Sequence, residues 1–181
     1  MIPVLAAAIP FLAYVLSDLG EGPVWDERRS RLYWVDIVQG CLHWLDADAS
    51  RRSTWRIGGT LSFLVLTSNP DRLVAGHNAT LVALDPDSRQ MVQLAALEQP
   101  GDGRRCNDAK CDPTGRLWAG TMGWGDSPQP GSLYAIDNAW QPVRKITGLA
   151  IANGLAWHQG RKEMHFVDSP ADRVVAGERK S

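Results

Sequence analysis

No Cys-x-x-Cys unit occurs in the chain, and its three cysteines, Cys41, Cys106 and Cys111, form an odd set. A disulfide framework or a zinc cage needs clustered thiols with further ligands at short spacing, so the thiols read as reduced. Net charge is also lacking, since 19 Lys and Arg face 20 Asp and Glu. Without a broad basic field, nucleic acid is not an expected partner. The Arg28-Arg29 and Arg51-Arg52 pairs read as solvated turns. No apolar run reaches the roughly 20 residues of a spanning helix. Residues 1–16 carry no charged side chain, but Pro3 and Pro10 interrupt them and the Lys or Arg that opens a secretory signal is missing. The expectation is a cytoplasmic protein with no membrane contact. Residues 1–18 would form an apolar extension with a strand near Phe11 to Leu16, and residues 19–181 the folded domain. Gly-rich phosphate loops, calcium loops and nucleophile elbows are absent as well. Asn78-Ala79-Thr80 is a formal glycosylation acceptor that carries no weight without export.

Long segments with helical spacing are missing too. What is there is punctuation: 17 Gly and 11 Pro separate short runs rich in Val, Leu, Trp and Tyr, the pattern of strands. Four of these runs resemble one another: Arg31 to Asp36, Arg72 to Gly76, Arg116 to Gly120 and Glu163 to Asp168. Their anchors Leu32, Leu73, Leu117 and Met164 are 41, 44 and 47 residues apart. A second run follows each, at Cys41 to Asp46, Thr80 to Asp85, Ser132 to Asp137 and Arg173 to Glu178, ending in an acid that starts a turn into an outer strand. Four short antiparallel strands every 40 to 50 residues describe a propeller blade. The chain therefore reads as all-β, with about three and a half blades.

Each blade needs a first strand nearest the axis. Glu21 to Asp26, Asn107 to Asp112 and Asn153 to His158 hold equivalent places, 11, 10 and 11 residues before the next anchor. In a radial array equivalent positions converge, so Glu21, Asn107 and Asn153 are expected to face one another. The stretch from Arg104 to Met122 is the densest in polar chemistry, placing Arg105, Asn107 and Asp108 just before a turn and a strand. The four histidines sit at unrelated repeat positions and read as structural or exposed. The recurrence of Trp25, Trp34, Trp44, Trp118 and Trp157 within strands points to packing rather than sugar stacking.

Taken together, Leu19-Gly20-Glu21-Gly22-Pro23-Val24-Trp25, Leu32 to Ile37, Arg105 to Met122 and Ile151 to Trp157 resemble the senescence marker protein, gluconolactonase and regucalcin-like family. The resemblance implies a six-bladed β-propeller that binds one divalent metal (Ca, Zn, Mn or Mg) in its central channel and hydrolyses a small-molecule sugar lactone. It matches Glu21 and Asn153 to metal ligands and Arg105 with Asn107 to the substrate-binding pair, which Asp108 would orient. Oxygen ligands suit hard cations, and the metal would polarise the lactone carbonyl for attack by water. A lid-loop acid of the family meets Gly125 here, with Asp126 adjacent as its substitute. The family's remaining ligand, an Asp suited to act as general base, falls beyond Ser181. A truncated propeller is therefore expected, one that self-associates through its open strand edge. Two alternatives stand beside lactone hydrolysis. One is an inactive half-propeller serving as a metal-binding or interaction module, and the other is a related hydrolase acting on phosphotriesters.

Overall fold

The computed structural model describes residues 16–126, 128–158, 160, 163–171 and 173–178. The strand expected near Phe11 to Leu16 lies outside them, except for Leu16, which is exposed coil. Among the described residues no helix is long and apolar enough to cross a membrane.

Four antiparallel sheets follow one another along the chain, each a simple meander. Blade 1 comprises β1 (Gly20–Asp26), β2 (Arg31–Asp36), β3 (Cys41–Asp46) and β4 (Arg52–Arg56). Blade 2 comprises β5 (Leu61–Leu66), β6 (Leu73–His77), β7 (Thr80–Asp85) and β8 (Gln90–Ala96). Blade 3 comprises β9 (Arg104–Cys111), β10 (Leu117–Gly123), β11 (Gly131–Ile136) and β12 (Pro142–Leu149). Blade 4 has three described strands, β13 (Ala152–His158), β14 (Glu163–Asp168) and β15 (Arg173–Glu178). This is the expected propeller arrangement of about three and a half blades. The repeat anchors fall on β2, β6, β10 and β14.

Apolar cores lie between blades. Tyr33, Val35 and Leu42 of blade 1 pack on Leu61, Leu64 and Leu73 of blade 2. Phe63 and Leu81 of blade 2 meet Cys106, Leu117 and Tyr134 of blade 3, and Leu133 and Leu149 of blade 3 meet Leu155 and Phe166 of blade 4. Burying two-sided strands in this way is what removes their apolar faces from water and holds successive blades in register. Gly76 and Gly120 allow the close approach: a Cβ at Gly76 would stand 2.6 Å from the Cys106 Cβ, and one at Gly120 would collide with that of Ala152.

Polar side chains brace the same seams. Asp36 accepts the N–H of Asp18 and Leu19 just before β1, and Asp168 accepts those of Ala150 and Ile151 just before β13, so one repeat position clamps two incoming chains. Asp85 and Asp137 cap the turns that follow them, as their position suggested. The Arg28-Arg29 pair departs from the solvated-turn reading. Arg29 bridges Asp71 (2.6 Å) and Asp87 (2.7 Å) of blade 2, while Arg28 binds Asp26 and the Thr67 carbonyl. Buried Arg31 joins Asp46 and Asp87 and stacks on Trp44, closing a charged network across the seam between blades 1 and 2. Spacing along the sequence could not show it, because the acids across the seam, Asp71 and Asp87, lie 42 to 58 residues from Arg29 and Arg31.

Candidate functional site

Every first strand is bulged. One extra residue lies between Glu21 and Val24 in β1, between Leu61 and Leu64 in β5, between Cys106 and Ala109 in β9, and between Asn153 and Leu155 in β13. A bulge breaks the strict two-residue alternation and re-aims a side chain. In β1 and β13 the residue after the polar one is a left-handed glycine, Gly22 (φ 56°) and Gly154 (φ 62°). Glu-Gly and Asn-Gly are thus one structural device used twice, since glycine takes that backbone region without a steric penalty.

The bulges converge on one cavity of about 310 Å³, lined by Glu21, Arg105, Asn107, Asp108 and Asn153 together with Ser62 and others. Five of the six site residues expected from the sequence are therefore together. Asp126 is not among them: it lines a neighbouring space with Asp102 and Trp124. Ser62 was missed, although it stands 11 residues before Leu73, the same offset that Glu21 and Asn153 keep from their anchors. Its hydroxyl is buried and donates to the Cys106 carbonyl at 2.6 Å, tying blade 2 to blade 3 beside the cavity.

Asn107 and Asp108 turn out to hold the next blade. The Asn107 amide donates to the Ala152 carbonyl (2.9 Å), and an Asp108 oxygen accepts the Gly154 N–H (2.9 Å). The backbone on both sides of Asn153 is clamped from blade 3. The other Asp108 oxygen accepts the N–H of Ala109 (2.8 Å). Burial pushes the Asp108 carboxyl above its ordinary value despite the N–H groups of Gly154 and Ala109, and the charge of Glu21 adds in the same direction. Asp108 is thus hydrogen-bonded to backbone beside Asn153, and the Arg105–Asn107 pair that it was expected to orient is joined within itself.

Arg105 is 4% exposed and donates to the Cys106 carbonyl (2.7 Å) and to the Asn107 side-chain oxygen (3.0 Å). Its Nε has no partner among the described residues, and its guanidinium lies 4.8 Å from the centroid of the exposed Trp124 ring. Burial lowers its pKa, opposed by the neighbouring Cys106. The same burial pushes the Cys106 thiol up to about 12, so this cysteine is an inert packing residue.

Among the described residues no three His, Cys, Asp or Glu side chains gather closely enough to hold a metal. The donors facing the cavity are oxygens: the Glu21 carboxylate, the Asn153 amide and Asp108, whose own oxygens are already engaged. Both Glu21 and Asn153 are exposed. That set fits a hard divalent cation such as Ca²⁺, Mg²⁺ or Mn²⁺ held by Glu21 and Asn153 with positions left open. It fits Zn²⁺ less well, for which nitrogen and sulfur donors are usual.

Comparison with known proteins gives this geometry its relatives. The chain is 32% identical over 168 residues to L-arabinolactonase of Azospirillum brasilense, covering 91% of this chain and 55% of that protein. It is 32% identical over 154 residues to 6-deoxy-6-sulfogluconolactonase of Pseudomonas putida, covering 85% and 53%. The crystal structure of a calcium-binding protein, regucalcin, from Agrobacterium tumefaciens superposes with a TM-score of 0.84 at 25% identity, covering 93% of this chain and 57% of that one. The chain spans about half the length of the curated relatives it matches. The sequence profile of the SMP-30/gluconolactonase/LRE-like region matches residues 19–180, and the chain belongs to that family.

Proposed function

We propose that the cavity is the substrate and metal site of a sugar-lactone hydrolase. The observation that carries this reading is the convergence of four bulged first strands, which brings Glu21, Arg105, Asn107, Asp108 and Asn153 from three blades into one polar cavity. In this reading Glu21 and Asn153 hold the divalent cation, which when bound polarises the lactone carbonyl toward water. Asn107 uses one N–H on Ala152 and one oxygen lone pair on Arg105, leaving a second N–H for a sugar hydroxyl. Arg105 supplies further donors from a dry wall, where a hydrogen bond is stronger than in water. Asp108 fixes the backbone of Asn153. Its oxygens being committed to N–H groups, we assign it no proton transfer, and the general base is not among these residues.

The test is hydrolysis of glucono-1,5-lactone by the 181-residue chain with Ca²⁺, Mg²⁺, Mn²⁺ or Zn²⁺, followed by proton release above the spontaneous rate. The expected result is metal-dependent turnover that Glu21→Ala lowers by about a hundredfold or more, since loss of a Lewis acid costs several kcal/mol of transition-state stabilisation. A rate indifferent to metal and to Glu21→Ala overturns the reading. A second reading, a cation-binding module without catalysis, is favoured by the absence of a third acid beside Glu21 and Asp108 among the described residues. It requires calorimetric cation binding that Glu21→Ala abolishes, with no turnover.

A further inference from the structure

Asn153 is followed by Gly154, and the sequence contains no second Asn-Gly pair. The other asparagines precede Pro70, Ala79, Asp108 and Ala139. A backbone nitrogen that attacks the side-chain carbonyl of the residue before it must come close, and a Cβ on its own residue crowds that approach. Glycine has none. The register between β13 and β14 skips Gly154, whose N–H turns instead to two side-chain oxygens, that of Asp108 at 2.9 Å and that of Asn153 at 3.1 Å. The nitrogen thus already lies against the Asn153 amide. The other end of that amide is fixed as well, since Asn153 Nδ2 donates to the Ser169 hydroxyl at 3.3 Å. Asn153 and Gly154 are both exposed, so water reaches them. Asn107 lacks this arrangement: its amide is engaged by Ala152 and Arg105, and the residue after it carries a side chain.

We propose that Asn153 is a self-modification site, at which the Gly154 nitrogen converts the side-chain amide to a carboxylate through a cyclic imide. The N–H proton passes to the Asp108 oxygen that already accepts it, the nitrogen bonds to Asn153 Cγ, and the Cγ–Nδ2 bond breaks. Nδ2 leaves as ammonia once that proton reaches it. One water then opens the imide: cleavage of the new N–Cγ bond restores the Gly154 peptide with aspartate at 153, and cleavage of the other C–N bond gives isoaspartate. In sum one water is consumed and one ammonia released. The step is separate from lactone hydrolysis, and its rate comes from holding nucleophile, carbonyl and proton acceptor together rather than from a chance encounter in a flexible chain. The product adds a second carboxylate to the cavity that holds Glu21, and a hard cation gains affinity with the charge of its ligands. That consequence rests on the reading of Glu21 and Asn153 as cation ligands; the modification does not.

The test is incubation of the full chain without added cation at mildly alkaline pH, with peptide mapping by mass spectrometry over time. The expected product is OH in place of NH₂ at 153, formed at least about tenfold faster in the folded chain than in the same chain in urea, a small part of what intramolecular positioning can supply. Asp108→Asn keeps an acceptor oxygen but no carboxylate to take the proton, and it is expected to lose that excess while near-UV circular dichroism verifies that it is folded. A folded chain that modifies Asn153 no faster than the unfolded one, or a folded Asp108→Asn variant that keeps the excess, overturns the proposal. Asn153→Asp, the product made directly, supplies the cation arm: in calorimetry Ca²⁺ is expected to bind it at least about tenfold more tightly than the unmodified chain, and equal affinity overturns that gain. A chain that is modified while neither form binds Ca²⁺ overturns the cation reading and leaves the modification standing.

Discussion

Removing the Asp108 carboxylate tests whether blade 3 positions Asn153 on blade 4. In Asp108→Ala the Gly154 and Ala109 N–H groups lose acceptors at 2.9 and 2.8 Å. A hydrogen bond to a charged group contributes about 1.5–3 kcal/mol, and two of them set the gross loss at about 3–6 kcal/mol. Against this stands the cost of burying the carboxylate near Glu21, which the raised pKa records, and Gly154 N–H keeps a strained contact of 3.1 Å with its neighbour Asn153. The net expectation is a loss of about 2 kcal/mol for Asp108→Ala and about 1 kcal/mol for Asp108→Asn, which retains one oxygen. Urea unfolding followed by tryptophan fluorescence measures the loss. Amide exchange at Gly154 locates it, because the clamp predicts faster exchange there while amides of the blade 1–2 seam keep their protection. Calorimetry of Ca²⁺ supplies the functional arm, with affinity reduced in step with the Gly154 opening. An Asp108→Ala protein with unchanged stability and unchanged exchange at Gly154 refutes the clamp.

Three further outcomes are expected. Gly76→Ala places a methyl group 2.6 Å from both the Cys106 Cβ and the Phe63 ring, and overpacking of this kind costs about 1–3 kcal/mol, read as a lower urea midpoint at unchanged slope. Asp87→Ala removes a shared partner of Arg29 and Arg31; Arg31 keeps Asp46 and Asp87 itself is half exposed, so the loss is about 1 kcal/mol and shrinks in 1 M salt, whereas a salt-independent change argues against an electrostatic seam. Stability falls with acid. For Asp36, burial raises the carboxyl but the N–H groups of Gln39, Asp18 and Leu19 outweigh it, and Asp112 is likewise held low against burial by Thr114. Folded values below the unfolded ones mean stability present above the ordinary carboxylate range and lost as pH falls through and below it. Asp108 has the opposite sign: its raised folded value makes the ionised form a penalty that is relieved as pH falls, so Asp108→Asn steepens the net loss of stability on acidification in unfolding measured from pH 7 to pH 3.

The sequence by itself determined the blade repeat, because a strand that must bury one side and turn every few residues writes its apolar alternation and its turn residues locally. It also placed Glu21, Asn107 and Asn153 on equivalent first strands, since repeat register is a property of spacing. The strand Leu61–Leu66 stayed hidden because its mostly apolar run has no acid or amide to mark it, and Ser62 within it went unnoticed. Only the tertiary structure decided which groups each side chain serves. Asn107 and Asp108 reach Ala152 and Gly154 some 45 residues away, and the bulges that permit this depend on pairing with β10 and β14. Asp126 shows the converse. Sequence proximity to Met122 suggested the cavity, but the loop after β10 carries it into a neighbouring space that it lines with Trp124 and Asp102. The charge on Arg105 was legible from the chain, whereas the lack of a partner for its Nε among the described residues was not. Whether a buried donor is paired depends on which acceptors the folded blades bring within reach, and that is a distance in space.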